Sequence, residues 1–367
     1  MQARGRYRGR LVAAVVVCLG AAGGCEPADE VVLYASADEH LARQVAAMFA
    51  EETGIEVRLV GDTEAKKTTG LVARLRSERD HPQADVFWSS EIFLTIALAD
   101  EGIFAAHTSP LVETWPAAYR DAGGRWFGFA ARARVIAYAP DRVAEADRPV
   151  SWTDLTRSYL DGRVVMADPR FGTTGGHLGA MKTHWDRTAM PGYYAAFLMG
   201  LRDNAVRMLP SGNAGVVQAI IDGDADVGLT DTDDVLAARR RGHRIDYVLA
   251  AHSHEAEPGN GTLLIPNTVA RVAGGPNPDA AGRLVDFLLS ERVERWLAES
   301  ESANTPLGPG RTGGHAIPDP LAVDYRRAAA NRLAAVAMAM KIIGGTADPA
   351  TRPARDTDGN DPFEREE

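Results

Sequence analysis

Asp231, Asp233 and Asp234 crowd into one short stretch, VGLTDTDDVL (227–236), directly after an apolar run. Carboxylates this close repel one another unless a cation, an arginine or a helix terminus compensates them. The cluster therefore points to cation binding, to acid–base work or to helix capping. If all three faced an open cleft, repulsion would raise at least one pKa, so one of them is expected to cap the following helix. RFGTTGGH (170–177) offers the opposite charge preference. Thr173 and Thr174 are expected to cap a helix whose free N–H groups and dipole favour an anion, with Gly175 and Gly176 letting a ligand approach the backbone. An equal alternative is a plain cap followed by flexible glycines. Arg132 and Arg134 alternate with apolar residues in ARARV, so on a strand they share a face. There they would pair an acidic ligand or the surplus carboxylates, or form structural salt bridges. His252 and His254 in HSHE could ligate a metal, but a solvated loop is the expected state. Trp88, Trp126 and Trp152 read as core or cleft wall. No Gly-Lys-Ser/Thr follows the glycines, and neither G-x-S-x-G nor H-E-x-x-H occurs, so nucleotide hydrolysis and the common enzyme triads find no support.

The elements that must position these residues alternate. EVVLYAS reads as a strand; DEHLARQVAAMFAEETG carries Leu41, Val45, Met48 and Phe49 at helical spacing and stops at Gly54. IEVRLV, TTGLVARLRSERD, ADVFWSS and EIFLTIALADEG repeat strand and helix, which predicts a mostly parallel sheet covered on both faces. In such sheets ligands bind beyond the carboxyl ends of the strands. The polar turns fall there: Ser36, Asp38 and Glu39; Asp62; Ser89, Ser90 and Glu91; the glycine loop; and the aspartate cluster. The pattern predicts two α/β lobes, residues 26–130 plus 263–345 and an inserted 131–262, joined by the crossing segments ARARVIAYAP and GTLLIPNTVA. Residues 346–367 lack apolar periodicity and read as a disordered tail.

The chain has 367 residues, 45% hydrophobic and 25% charged, enough for a sizeable core and two domains. A net charge of -10 argues against a broad basic face, so no nucleic-acid partner is expected. Arg4, Arg6, Arg8 and Arg10 precede the apolar run LVAAVVVCLGAA and then AGGC. Residues 1–25 thus read as a lipoprotein signal peptide ending in a lipidated Cys25, anchoring an exported protein at the periplasmic face of a membrane. Ordinary cleavage nearby, leaving a soluble secreted protein, is the alternative. Cys18 and Cys25 are the only cysteines, so the body is expected to hold neither disulfide nor thiolate site.

VVLYASADEHLARQVAAMFAEETGIEV, QADVFWSSEIF, GRWFGFAARARVIAYAP and PNTVARV together resemble the substrate-binding proteins of ABC importers, and within them the ferric-iron-binding branch. The resemblance covers residues 30 to 310. It implies a type II periplasmic-binding-protein fold: two lobes, each a mostly parallel sheet flanked by helices and hinged by crossing strands. It also implies a non-enzymatic monomer that passes a small ligand to ABC permease transmembrane subunits. The branch's usual histidine, glutamate and tyrosine pair fall at Asp38, at Ser90 (with Glu91 one residue later) and at Asp233 and Asp234. None of those ligand types is retained in register. The branch's phosphate loop falls at Thr173, Thr174, Gly175 and Gly176, with Asn213 and Asp231 at neighbouring contact positions.

Asp38, Glu91, Asp233 and Asp234 make an oxygen-only metal set suited to Fe(III) or another hard cation, with a synergistic anion on the loop. Ser36, Asp38, Glu39, Ser89, Ser90, Arg132, Thr173, Thr174, Gly175, Asn213 and Asp231 are the expected ligand contacts. A phosphate- or phosphonate-containing zwitterion, its ammonium on the carboxylates, is the second reading. An exported carboxylate/metal-dependent hydrolase using Glu39, Glu91 and Asp233 is the third.

Overall fold

A computed structural model of the chain describes residues 30–62, 68–188, 191–253, 258–313 and 317–344. The leader with Cys25, His254 and the expected tail lie outside the described residues. The first half runs β1 (Glu30–Ala35), α1 (Glu39–Thr53), β2 (Glu56–Gly61), α2 (Thr69–Ser77), β3 (Val86–Ser89), α3 (Phe93–Asp100), β4 (Phe104–Ala105) and α4 (Pro110–Glu113). The crossing strand β5 (Phe127–Tyr138) leads to β6 (Val164–Ala167), α5 (Gly172–Thr188), α6 (Tyr193–Asp203), β7 (Arg207–Leu209), α7 (Gly212–Ile221), β8 (Val227–Asp231), α8 (Thr232–Arg240) and β9 (Asp246–Val248). The chain returns through β10 (Leu264–Val272) to α9 (Pro278–Leu288), α10 (Glu291–Glu299) and α11 (Tyr325–Ile342).

The apolar runs form strands because both faces of the sheet are covered. β1, β3, β6 and β8 are buried almost without interruption, as central parallel strands must be. The sheet is continuous, in the order β2-β1-β3-β10-β5-β8-β6-β7, with β4 on β10 and β9 on β5. Two parallel trios, β2-β1-β3 and β7-β6-β8, therefore flank an antiparallel central pair. That pair is the expected crossing segments. β5 is buried from end to end because its first part pairs with β10 and its second with β8 and β9. The β5–β10 ladder shifts register between Ile265 and Asn267. Opposite the shift, Ala130 takes φ 44, a left-handed conformation costly for a residue with a Cβ.

Helices on each face of each trio make four apolar clusters, centred on Phe87 and Phe93, on Phe49 and Trp88, on Trp152 and Phe197, and on Val165 and Val216. Helix α11 divides its packing. Tyr325 and Ala328 join a cluster of the first trio, and Ala335 and Ala339 join one of the second. The segment expected to complete the first lobe thus straddles both cores. No described helix is long and apolar enough to cross a membrane.

Candidate functional site

The carboxyl ends of the strands converge on a cleft. Its wall takes Asp38 from the β1–α1 turn, Trp88 and Ser90 from the end of β3, and Arg132 from the crossing strand. Thr173 comes from the first turn of α5, Asn213 from α7, and Asp231, Asp233 and Asp234 from the β8–α8 junction. Phe171, Leu41 and Leu297 add apolar surface. Towards solvent the cleft widens into a mouth lined by Glu39, His40, Arg43, Gln218, Arg241 and Glu301.

Asp231 is the most connected residue of the site. Its Oδ1 accepts from Arg134 Nη1 at 2.7 Å, and its Oδ2 from Arg132 Nε at 3.0 Å, Thr173 Oγ1 at 2.8 Å and Asn213 Nδ2 at 2.8 Å. Burial disfavours its charge, but Arg134 and Arg132 outweigh burial and hold its pKa below the ordinary aspartate range. It occupies the N-cap position of α8, yet its side chain does not cap, because both oxygens are committed elsewhere. At Asp231 itself the arginines outweigh any repulsion from its neighbours. Arg132 and Arg134 thus pair a surplus carboxylate of the chain itself. Burial also opposes the Arg132 charge, and Asp233, Asp231 and Asp234 outweigh it, raising its pKa. Arg132 Nη2 reaches Ser90 O at 2.6 Å, tying the two halves together.

Asp233 and Asp234 lie in the first turn of α8, where the helix dipole favours negative charge. Asp233 is 3.6 Å from Arg132, and Thr230 Oγ1 donates to Asp234 Oδ2 at 3.3 Å. One carboxylate oxygen from each of Asp231, Asp233 and Asp234 can be chosen within 4.8 Å of the others. Asp38 lines both cleft and mouth with Asp233 and Asp234. No tyrosine stands on the cleft wall among the described residues.

Several expected contacts lie elsewhere. Glu91 is fully buried, and its carboxylate accepts from Phe93 N at 2.8 Å and Leu94 N at 2.9 Å, capping α3 instead of entering the cleft. Burial raises its pKa against the pull of Arg332. Ser89 bonds Glu91 O, and Ser36 links Thr68 to Ser90 through hydroxyls, so both support the cleft from behind. Glu39 is exposed at the mouth beside Arg43. Thr173 and Thr174 sit inside α5 rather than capping it. Thr174 is buried against Arg134 at 3.5 Å. Gly175 and Gly176 serve packing. A Cβ on Gly175 would stand 2.3 Å from Pro169 O, and one on Gly176 2.0 Å from Phe93 Cδ2, so neither is open to a ligand.

His252 is not in a solvated loop. It is fully buried, its Nδ1 bonded to Gly261 O at 2.8 Å and its Nε2 3.3 Å from His177 Nε2. Trp152 and Trp185 pack around the pair, and His177 Nδ1 meets Arg134 Nε at 3.4 Å. Trp88 is a core residue that reaches the cleft wall, its Nε1 donating to Asn267 Oδ1 at 3.2 Å.

Asn267 and Asn304 are cleft residues that sequence reading missed. Asn304 is 4% exposed, and its Nδ2 has no hydrogen-bond partner among the described residues. PNTVARV marked the strand bearing Asn267, but no periodicity singles out an asparagine in the loop after α10. Asp168 was missed as well; it is paired with Arg170 at the cleft edge.

The model for bacterial extracellular solute-binding proteins matches residues 31–300. Iron uptake protein A1 of a Synechocystis strain is 25% identical over 74% of this chain and 74% of its own. A putative 2-aminoethylphosphonate-binding periplasmic protein of Salmonella typhimurium is 24% identical over 68% of this chain and 69% of its own. Among solved structures, iron-bound HitA from Pseudomonas aeruginosa superposes with a TM-score of 0.74 at 21% identity, covering 86% of this chain and 99% of that one. The shared fold is the two-lobed type II periplasmic-binding-protein fold.

Proposed function

We propose, from the premise that this chain belongs to the bacterial extracellular solute-binding proteins, that it is the substrate-binding lipoprotein of an ABC importer. It captures ferric iron, bare or as an iron–anion complex, between its lobes and delivers it to the permease. The lobes in this reading are residues 26–130 with 263–345, and 131–262, with α11 of the first packing on both cores, and closure is favoured because the ligand gains contacts from both. Anchorage through Cys25 at the periplasmic face rests on the leader sequence. The protein acts as a monomer and catalyses nothing. Glu39, Glu91 and Asp233, which a hydrolase would need together, lie at the mouth, inside a helix cap and in the cleft.

The observation that carries the cation reading is the clustering of carboxylates in the cleft. Asp38, Asp231, Asp233 and Asp234 all line it, and one oxygen from each of the last three can be chosen within 4.8 Å of the others, an arrangement that suits an incoming cation. The donors are all oxygens, which suits a hard ion. Proteins named for iron uptake among its relatives support the choice of ion.

A phosphonate zwitterion is the second reading. It is favoured by relatives bearing that name and by Asn304 Nδ2, which requires an acceptor oxygen. Isothermal titration of the purified protein with Fe(III)–citrate and with 2-aminoethylphosphonate separates the two. The iron reading expects no heat with the phosphonate and saturable heat with Fe(III)–citrate, weakened about tenfold or more in Asp233→Ala or Asp234→Ala. Heat with the phosphonate only would overturn it.

A further inference from the structure

The four donors around Asp231 form a receptor for an oxyanion. Two guanidinium groups, a threonine hydroxyl and an asparagine amide converge on one carboxylate, and the pair of oxygens accepts all four hydrogen bonds. The receptor is built into the fold. Arg134 is fully buried and Arg132 is 9% exposed, so their charges need a partner in place. The donors come from separate elements: β5 supplies the arginines, α5 the threonine and α7 the asparagine. Secondary bonds orient them, with Asn213 Nδ2 and Arg134 Nη1 both reaching Thr173 Oγ1, at 3.0 and 3.1 Å. The receptor opens onto the cleft, since Arg132, Thr173, Asn213 and Asp231 all line it.

We propose that Asp231 is a tethered oxyanion that fills this receptor, so that the cleft takes its cation without a free anion, and that removing the carboxylate turns the receptor into a binding site for a small free oxyanion. A free phosphate or carboxylate approaching the wild-type receptor finds these four donors already engaged by Asp231 and faces the Asp231 charge as well as those of Asp233 and Asp234. Fixing the anion on the chain also spares the association entropy that a second, free ligand would cost. The statement about the cation rests on the reading of the cleft as a cation site; the statement about the receptor does not.

The test uses formate, which matches the carboxylate removed, and inorganic phosphate, each in chloride buffer, on the wild type and on Asp231→Ala. Thermal unfolding of Asp231→Ala is expected to rise saturably with formate or phosphate, with affinity about 100-fold above any effect on the wild type. Adding Asn213→Ala to that variant should abolish the gain, which locates the anion. Saturable binding of either anion by the wild type, lost in Asn213→Ala, would overturn the proposal. So would a folded Asp231→Ala that responds to neither. Should Asp231→Ala not fold in chloride, refolding yield with and without formate is the readout, and equal failure in both counts against the proposal. Cation titrations form a separate arm. Wild-type affinity should be indifferent to formate and that of Asp231→Ala dependent on it. Absence of any cation binding would sink the cation reading and leave the receptor result standing.

Discussion

Arg134 and Asp231 are register partners across the β5–β8 ladder and also an ion pair, with Nη1 to Oδ1 at 2.7 Å and both side chains out of contact with water. Breaking such a pair leaves Asp231 with Arg132 as its remaining arginine, a charge only partly compensated where solvent cannot reach it. Arg134→Met is expected to cost about 3–5 kcal/mol of stability, read by urea unfolding. The double variant Arg134→Met/Asp231→Leu should cost clearly less than the sum of the two single changes, because the stranded partner goes too. Additive costs would show that the two groups are not coupled.

The buried histidines predict acid sensitivity. Burial pushes His252 down to about 3, and burial together with Arg134 and His252 holds His177 well below the usual histidine range. Both are therefore neutral when folded, whereas unfolded histidine takes up a proton near 6.5. The unfolded state then binds more protons at acid pH, and stability falls as pH drops below that value. The slope is about 1.4 kcal/mol per pH unit for each histidine. Asp231, with its lowered pKa, adds a further loss only in the carboxylate range, below the histidine window. Urea unfolding at about pH 7.5 and about pH 5 should show the difference, and His252→Phe should flatten the profile. Equal stability at the two pH values would refute the neutral-histidine assignment.

Gly176 and Phe93 make a tight contact between α5 and α3. A methyl on Gly176 would overlap the Phe93 ring, so Gly176→Ala is expected to lose about 1–3 kcal/mol. Phe93→Leu should recover part of that loss, because the obstacle is a side chain. It should do nothing for Gly175→Ala, whose obstacle is the Pro169 carbonyl. Thermal melts of the four variants check this, and a Gly176→Ala melt equal to wild type would contradict the packing role.

The glycine pair also shows where the sequence stopped being legible. Strand and helix alternation was written in local apolar periodicity, and the crossing strands could be located because ARARVIAYAP and GTLLIPNTVA read as strands. The cleft was legible as well, since polar turns at strand ends meet there whatever their partners. What the residues do within it was not. Asp231, Asp233 and Asp234 look alike in sequence, and only the opposed register of β5 and β8 gives Asp231 to the arginines. Glu91 looked like a cleft ligand until the start of α3 took its carboxylate. In each case the deciding contact is made by a group that local periodicity cannot orient.

The crossing point of β5 offers the last test. Glu294 is fully buried and takes four donors: Ala130 N at 2.8 Å, Leu307 N and Gly308 N at 2.9 Å, and Arg311 Nη1 at 2.7 Å. It thereby holds Ala130 in its left-handed conformation, where the strand leaves one half for the other. Glu294→Ala leaves a buried guanidinium and three amides without their acceptor, at a cost of about 3–5 kcal/mol. Ala130→Gly removes the strain but frees the unfolded chain, two effects of about 1 kcal/mol that nearly cancel. Its stability should therefore match wild type in chemical unfolding. Should Ala130→Gly instead destabilise as much as Glu294→Ala, the left-handed residue is fixed by its methyl packing and not by the carboxylate.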